Sequence, residues 1–465
     1  MRKPTHVSTW RLSLLNFGVF LAPNCNDLAR TGPLPMPDGS ATSHLYKPKL
    51  LTVLGEGYNA AFLKKDAMAG LTVAVVALPL SMAIAVASGV SPDRGVYTAI
   101  IGGFLVSALG GSRFQIGGPA GAFIVLVAST VARFGVEGLL ATVLLSGITL
   151  TLVGLSRLGS LIRFIPHAAT VGFTCGIAVT ILASQLKDLG GFHLSGPEPG
   201  PLLPKLAMLT SEVATLDPQA VSLGVGSVLL IFFLRRYRPS WPGMLIAVVL
   251  ASVLAASFHL SVETINSHFG DIARGLPAFA VPVLTPGSLI QLAPVVFSFT
   301  LLGGIESLLS AKVADGMTGR KHRYNMELVA QGIANIVSAC FGGISVTGTI
   351  ARTATNIRAG ACSPLAGIMH AAFLLVFILL AAPLAGYIPL AALAGVLVVV
   401  SWNMAEAREF SRLLRQWQSA SVLLATFLLT LAYDLSVGII AGCALAALLS
   451  TFATKFSDKR SASRE

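Results

Sequence analysis

An all-α polytopic membrane protein of fourteen segments, built as a 7+7 inverted repeat with two half-helices, is the fold this sequence predicts. Three observations carry it. The chain is 54% hydrophobic and 11% charged, with a mean hydropathy of +0.79, whereas soluble domains carry about 25% charged residues. Residues 66–455 form an almost continuous series of apolar segments of ~16–22 residues, near the ~20 that span a bilayer as helix. Two of these segments are short and glycine-led, and they stand at matching points of the two halves.

Residues 1–45 are rich in Pro, Gly, Ser and Asn and read as a disordered tail. Residues 46–65, with Leu50, Leu51, Val53, Leu54 and Phe62 before Lys64 and Lys65, read as an amphipathic lead-in helix on the membrane surface. The expected spans are 67–88, 95–110, 119–133, 138–156, 166–186, 219–234 and 242–259 in a first repeat covering 66–259. Those of the second repeat, 292–455, are 292–312, 327–342, 347–359, 363–382, 386–403, 419–433 and 437–454. A polar connection, 260–291, divides the repeats, and 456–465 is a basic tail.

Basic residues set the orientation. With both termini cytoplasmic, inner loops receive Lys64, Lys65, Arg113, Arg157, Arg163, Arg235, Arg236, Arg238, Arg320, Lys321, Arg323, Arg358, Arg408, Arg412 and Arg415. Outer loops receive only Arg94, Arg133, Lys187, Lys205 and Arg274, as the positive-inside rule requires. The net charge of +12 is thereby a matter of topology, not of nucleic-acid binding. An odd number of spans in each half inverts the second half relative to the first. The five cysteines show no metal-ligand spacing and read as small packing residues.

The short segments begin at Gly117-Gly118-Pro119-Ala120-Gly121 and at Gly343-Ile344-Ser345-Val346-Thr347-Gly348-Thr349. Paired interrupted helices at corresponding positions point to a substrate site between them, where helix N-termini offer free N–H groups to an anion. Candidate donors are Ala120, Gly121 and Ala122 around Pro119, and Thr349 and Ile350 after Gly348, with the Thr347 and Thr349 hydroxyls beside them. Pro79 frees a carbonyl in the first span, and Ser81 lies next to it. Gln115 either faces the site or caps the half-helix. Arg352, about one turn into the second short helix, is the anion's fixed counter-charge or else the partner of Glu306. Glu306, mid-span, is a group placed to exchange a proton, and Ser310 one turn on is a candidate sodium ligand.

Several stretches resemble the SulP anion transporters, the bacterial relatives of solute carrier family 26. They are Asp66 to Val73 running into Ala77-Leu78-Pro79-Leu80-Ser81-Met82-Ala83, and Gly304-Ile305-Glu306-Ser307-Leu308-Leu309-Ser310 with Asn325 to Gly332. A third is Phe341-Gly342-Gly343 through Thr349-Ile350-Ala351-Arg352-Thr353 to Gly360. The resemblance implies a core of spans 1–4 and 8–11 carrying the site, a gate of spans 5–7 and 12–14, a homodimer, and movement of small anions such as sulfate, bicarbonate or carboxylates. It also implies an inner-membrane location and coupling to protons or sodium. The chain departs from most members in showing no C-terminal STAS domain. It departs from sodium-coupled members in having Glu306 in place of Asp and Ile350 in place of a threonine, so proton symport is favoured over sodium. Sodium symport, anion exchange and a passive channel on the same fold stay open. There is no P-loop, no cofactor motif and no cluster of catalytic residues at one membrane face, so neither an ATP-driven pump nor an enzyme is expected.

Overall fold

The computed structural model describes residues 46–159, 166–194, 202–239, 241–284, 286–432 and 437–449. The tails 1–45 and 456–465, Arg163 and Asp434 lie outside them. Almost everything described is helix. The chain opens with α1 (Lys49–Gly55), turns at Glu56–Tyr58, and starts α2 (Ala60–Ala87), which Asn59 caps by accepting a 3.0 Å hydrogen bond from the Phe62 N–H. The lead-in is thus a helix of about two turns and a separate helix start, not one continuous surface helix.

α3 (Pro92–Leu109) follows, begun by Pro92 at a position where the missing N–H costs nothing. The two-residue strand β1 (Gly117–Gly118) and a 3₁₀ turn (Gly121–Phe123) lead into α4 (Ile124–Leu155). Gly135, at φ 68° and ψ −176°, breaks α4 into a short first part and a longer second part. An L side chain resists that conformation, and the break falls in the gap between the expected spans 119–133 and 138–156. Then come α5 (His167–Gly190), α6 (Leu202–Ser211), α7 (Pro218–Tyr237), α8 (Gly243–Ser257) and α9 (Ile265–Phe269).

The second half repeats the plan with α10 (Pro286–Thr318), α11 (Tyr324–Cys340), β2 (Thr347–Gly348) and α12 (Ile350–Arg358). It continues with α13 (Leu365–Ala385), α14 (Leu390–Met404), α15 (Ala407–Leu413), α16 (Trp417–Ala432) and α17 (Val437–Leu449). α10 begins inside the connection expected to be polar, so its 33 residues exceed what crossing alone needs. Seven helices among the described residues are long and apolar enough to cross a membrane.

The packing separates two bodies. α2, α3, α4, α10, α11, α12 and α13 pack together as a core, and α5, α7, α8, α14 and α16 as a gate, with α2 touching α14 and α8 across the boundary. Contacts recur with the halves exchanged: α4 on α11 matches α13 on α3, α2 on α13 matches α10 on α4, and α16 on α5 matches α14 on α7. This is the signature of an inverted repeat. Outward-facing apolar side chains such as Leu229 (63% exposed) and Leu380 (78% exposed) suit lipid rather than water.

Candidate functional site

The site grows from the glycine pairs. β1 and β2, one from each half, form a two-residue antiparallel ladder that pairs Gly117 with Gly348 and Gly118 with Thr347. The Thr349 N–H extends it, donating to the Ile116 carbonyl at 3.1 Å. Because the strands are antiparallel, the 3₁₀ turn with the first part of α4, and α12, leave the ladder in opposite directions. The backbone N–H groups of Gly121 and Ala122 at one start, and of Ile350, Ala351 and Arg352 at the other, donate to no described residue. These are the orphan donors of a helix start, with the positive end of its dipole behind them.

Glycine is needed in the ladder for closeness. A Cβ on Gly118 would land on Nη1 of Arg352, and one on Gly348 would land on Nε2 of Gln115. Arg352 is 1% exposed. Its Nη2 donates to Oγ of Ser81 at 3.1 Å, and that hydroxyl in turn donates to the Ala77 carbonyl at 2.7 Å. Nη1 and Nε have no partner, and no carboxylate among the described residues pairs with the guanidinium. Glu306, 7% exposed on α10, makes neither hydrogen bond nor ion pair with a described residue. Of the two roles open to Arg352 in the sequence, pairing with Glu306 is therefore not the one realised.

Hydroxyls and amides from α10, α11 and the turns brace the ladder. Oγ of Ser307 accepts from the Gly348 N–H at 3.1 Å and meets Oγ1 of Thr347 at 3.0 Å. Nε2 of Gln115 donates to the Ser307 carbonyl at 3.1 Å, so Gln115 ties the halves together. Oγ1 of Thr353 accepts from the Ile116 N–H at 3.1 Å and from Oγ of Ser310 at 3.2 Å. Asn335 exchanges two 2.9 Å hydrogen bonds with Val346, whose carbonyl Gln331 also reaches.

The expected ligand hydroxyls thus turn out to be engaged. Thr349 Oγ1 donates to the Ile116 carbonyl at 3.3 Å, Thr347 meets Ser307, and Ser310 meets Thr353. Buried hydroxyls without a partner are costly, and here each has one inside the protein. Pro79 in α2, and Pro119 and Ala120 directly after β1, are buried. Gly121 faces the gate, with Met404 and Ile181 3.4 and 3.5 Å from where its Cβ would stand.

Three further polar side chains are buried. His322 is 6% exposed and its Nδ1 lies 2.7 Å from Oδ2 of Asp315. Glu327 is fully buried and accepts from the Ser112 N–H at 2.9 Å. His370, inside α13, is fully buried, with neither ring nitrogen bonded to a described residue. Cys362 stands in a disulfide, whereas Cys175, Cys340 and Cys443 are free. Ser307, Thr353, Gln331 and Asn335 are functional braces that sequence reasoning missed. Their only signal is polarity within apolar spans, which does not name a partner.

Two half-helices from inverted halves, meeting around a buried cation, define a membrane transport protein rather than an enzyme. The comparisons agree. The model of the sulfate permease family matches residues 63–427. The chain is 42% identical over 393 residues to the putative sulfate transporter YvdB of Bacillus subtilis, covering 84% of this chain and 74% of that one. It is 30% identical over 404 residues to the bicarbonate transporter BicA of Picosynechococcus, covering 83% and 70%. Among solved structures, the transmembrane domain of a cyanobacterial BicA matches with a TM-score of 0.72 at 30% identity, covering 84% of this chain and 98% of that one. SLC26A9 matches with a TM-score of 0.80 at 18% identity, over 87% and 68%, a likeness of fold alone. The chain belongs to the sulfate permease (SulP) family of anion transporters, and it is a multi-pass membrane protein.

Proposed function

We propose that the protein is a secondary active transporter that moves a small inorganic anion or carboxylate, of the sulfate, bicarbonate or dicarboxylate class, in symport with protons. Arg352 carries this reading. An arginine 1% exposed, held by one hydroxyl and facing no carboxylate, is expensive unless a negative charge visits it. Two adjacent helix starts supply five unengaged N–H groups, which replace part of an anion's hydration shell. The backbone at Gly118, Pro119, Ala120, Gly121, Thr347, Gly348 and Thr349, with Pro79 and Ser81 behind it, forms the cradle. Bicarbonate and sulfate are what relatives of this chain are named for.

Glu306 is the proton-carrying group in this reading, being a buried carboxylate that no cation among the described residues holds. Sodium is less favoured, since Ile350 brings no side-chain oxygen to the start of the second half-helix and the Arg352 cation follows two residues on. Fourteen crossings, both termini in the cytoplasm, a bacterial inner membrane and the homodimer expected of the family complete the proposal; the loop charges support the orientation.

The test is uptake into liposomes holding the purified chain. The panel is sulfate, bicarbonate, chloride, nitrate, succinate and fumarate, with and without an inward proton gradient. Gradient-driven accumulation of one anion, lost in Glu306→Gln while downhill exchange persists, is the expected result. Full accumulation in Glu306→Gln removes the coupling role. A demand for sodium with indifference to an uncoupler replaces proton by sodium, and unselective, gradient-blind flux makes the protein a channel or exchanger.

A further inference from the structure

The end of the molecule that carries α1 holds a cluster of charge outside the transport site. Arg113, in the turn after α3, is 7% exposed. Its Nη2 holds both oxygens of Glu56, at 2.5 and 2.7 Å, while its Nη1 is buried without a partner. Lys49 on α1 and Arg320 and Arg323 in the α10–α11 connection all lie within electrostatic reach of Arg113 and of Glu56. Arg323 is fixed there by donating to the Lys47 carbonyl at 2.5 Å and to Oγ1 of Thr52 at 3.2 Å. Asp315, the other acid nearby, is already bonded to His322. Four cations therefore share two carboxylates, which leaves two positive charges in surplus.

The surplus is felt by its own members. Burial first, then Arg323 and Arg113, push the Lys49 amine down to about 8, and burial and Arg113 also push Arg320 and Arg323 down. A further anion at this point would relieve all of them.

The surroundings say where that anion comes from. Lys49 and Val53, four residues apart, share the inward face of α1, and Val53 is fully buried. Leu51 and Leu54 on the opposite face are 53% and 49% exposed, and Leu63 and Met68 at the start of α2 are 40% and 62% exposed. A helix with leucines outward and cations behind it lies where acyl chains meet headgroups. We propose that Lys49, Arg113, Arg320 and Arg323 bind the phosphate of an anionic phospholipid headgroup, with Leu51, Leu54 and Leu63 seated against its chains. The headgroup clamps α1 to the core, adding to the 2.9 Å hydrogen bond from the Lys49 N–H to the Gly110 carbonyl.

The experiment is thermal unfolding of the full chain in neutral detergent, titrated with short-chain phosphatidylglycerol, short-chain phosphatidylcholine or inorganic phosphate. The variants are Lys49→Gln and Arg320→Gln, whose side chains make no hydrogen bond to a described residue and whose loss relieves the repulsion among the cations. Phosphatidylglycerol is expected to raise the melting temperature saturably, and phosphatidylcholine is expected not to. Each variant weakens the phosphatidylglycerol midpoint about fivefold, and the double variant roughly 25-fold. An equal response to phosphatidylcholine, or an undiminished response in the double variant, overturns the site. A saturable response to inorganic phosphate that matches phosphatidylglycerol overturns the lipid as occupant and assigns the site to a free anion.

Discussion

Gly118→Ala tests how tightly the buried guanidinium is held. The new methyl group would fall on Nη1 of Arg352, and the facing atoms leave little room, because Nη2 is fixed to Ser81 at 3.1 Å. The guanidinium must move and give up that bond. A hydrogen bond from a charged donor contributes ~1.5–3 kcal/mol, and Arg352 has no other partner to fall back on. Stability should therefore drop by about 2 kcal/mol, and anion affinity should weaken as the charge shifts away from the helix starts. Gly121→Ala is the matched control. Its methyl group meets only Met404 and Ile181 at ordinary contact distance, so the fold should keep its stability to within about 0.5 kcal/mol. The assay is thermal or denaturant unfolding of both purified variants, with anion uptake in liposomes alongside. If Gly118→Ala matches the wild type in stability and in KM, the account of Arg352 is wrong.

Two further outcomes follow from the same structure. Ser81→Ala should lose ~1.5–3 kcal/mol of stability while Ser81→Thr keeps it; equal losses in unfolding assays would make the position one of packing, not of hydrogen bonding. The Lys49 amine should titrate near 8 when followed by the rate of acylation, and Arg323→Gln should move it upward. Since that value lies below the ordinary 10.5, the native chain releases its proton before the unfolded chain does. Stability should accordingly rise as pH climbs from about 8 towards 10.5, and a titration midpoint at the ordinary value would refute the crowding of charge around it.

What the sequence made legible were features written in short-range signals. The glycine-led starts place α12 inside the expected interval 347–359. The gap between 133 and 138 contains Gly135, where α4 breaks. The lead-in divides where Gly55, Gly57 and Asn59 supply the turn and cap residues, a signal that the apolar pattern of 46–65 masks. Side-chain partnerships were not legible at all. Ser81 and Arg352 lie 271 residues apart, Gln115 and Ser307 192, and Asp66 accepts from the Ser363 N–H 297 residues away. No periodicity encodes such pairs. Thr349 illustrates the consequence: its hydroxyl looks like a ligand until the Ile116 carbonyl, in the other half, is seen to accept it.

The β1–β2 ladder also constrains how the chain is made. Ile116 waits for Thr349, 233 residues later, before its carbonyl finds a donor. At synthesis rates of ~5–20 residues per second, that delay is roughly 12–47 seconds. During it the first half sits in the bilayer with an unpaired strand, and with Gln115 lacking the Ser307 carbonyl it bonds in the finished fold. Exposed polar backbone is not tolerated by lipid, so the nascent first half needs water or the insertion machinery around Gly117 and Gly118 until the second half arrives. Separately expressed halves should meet the same difficulty permanently, each carrying one edge of a ladder that neither can close alone.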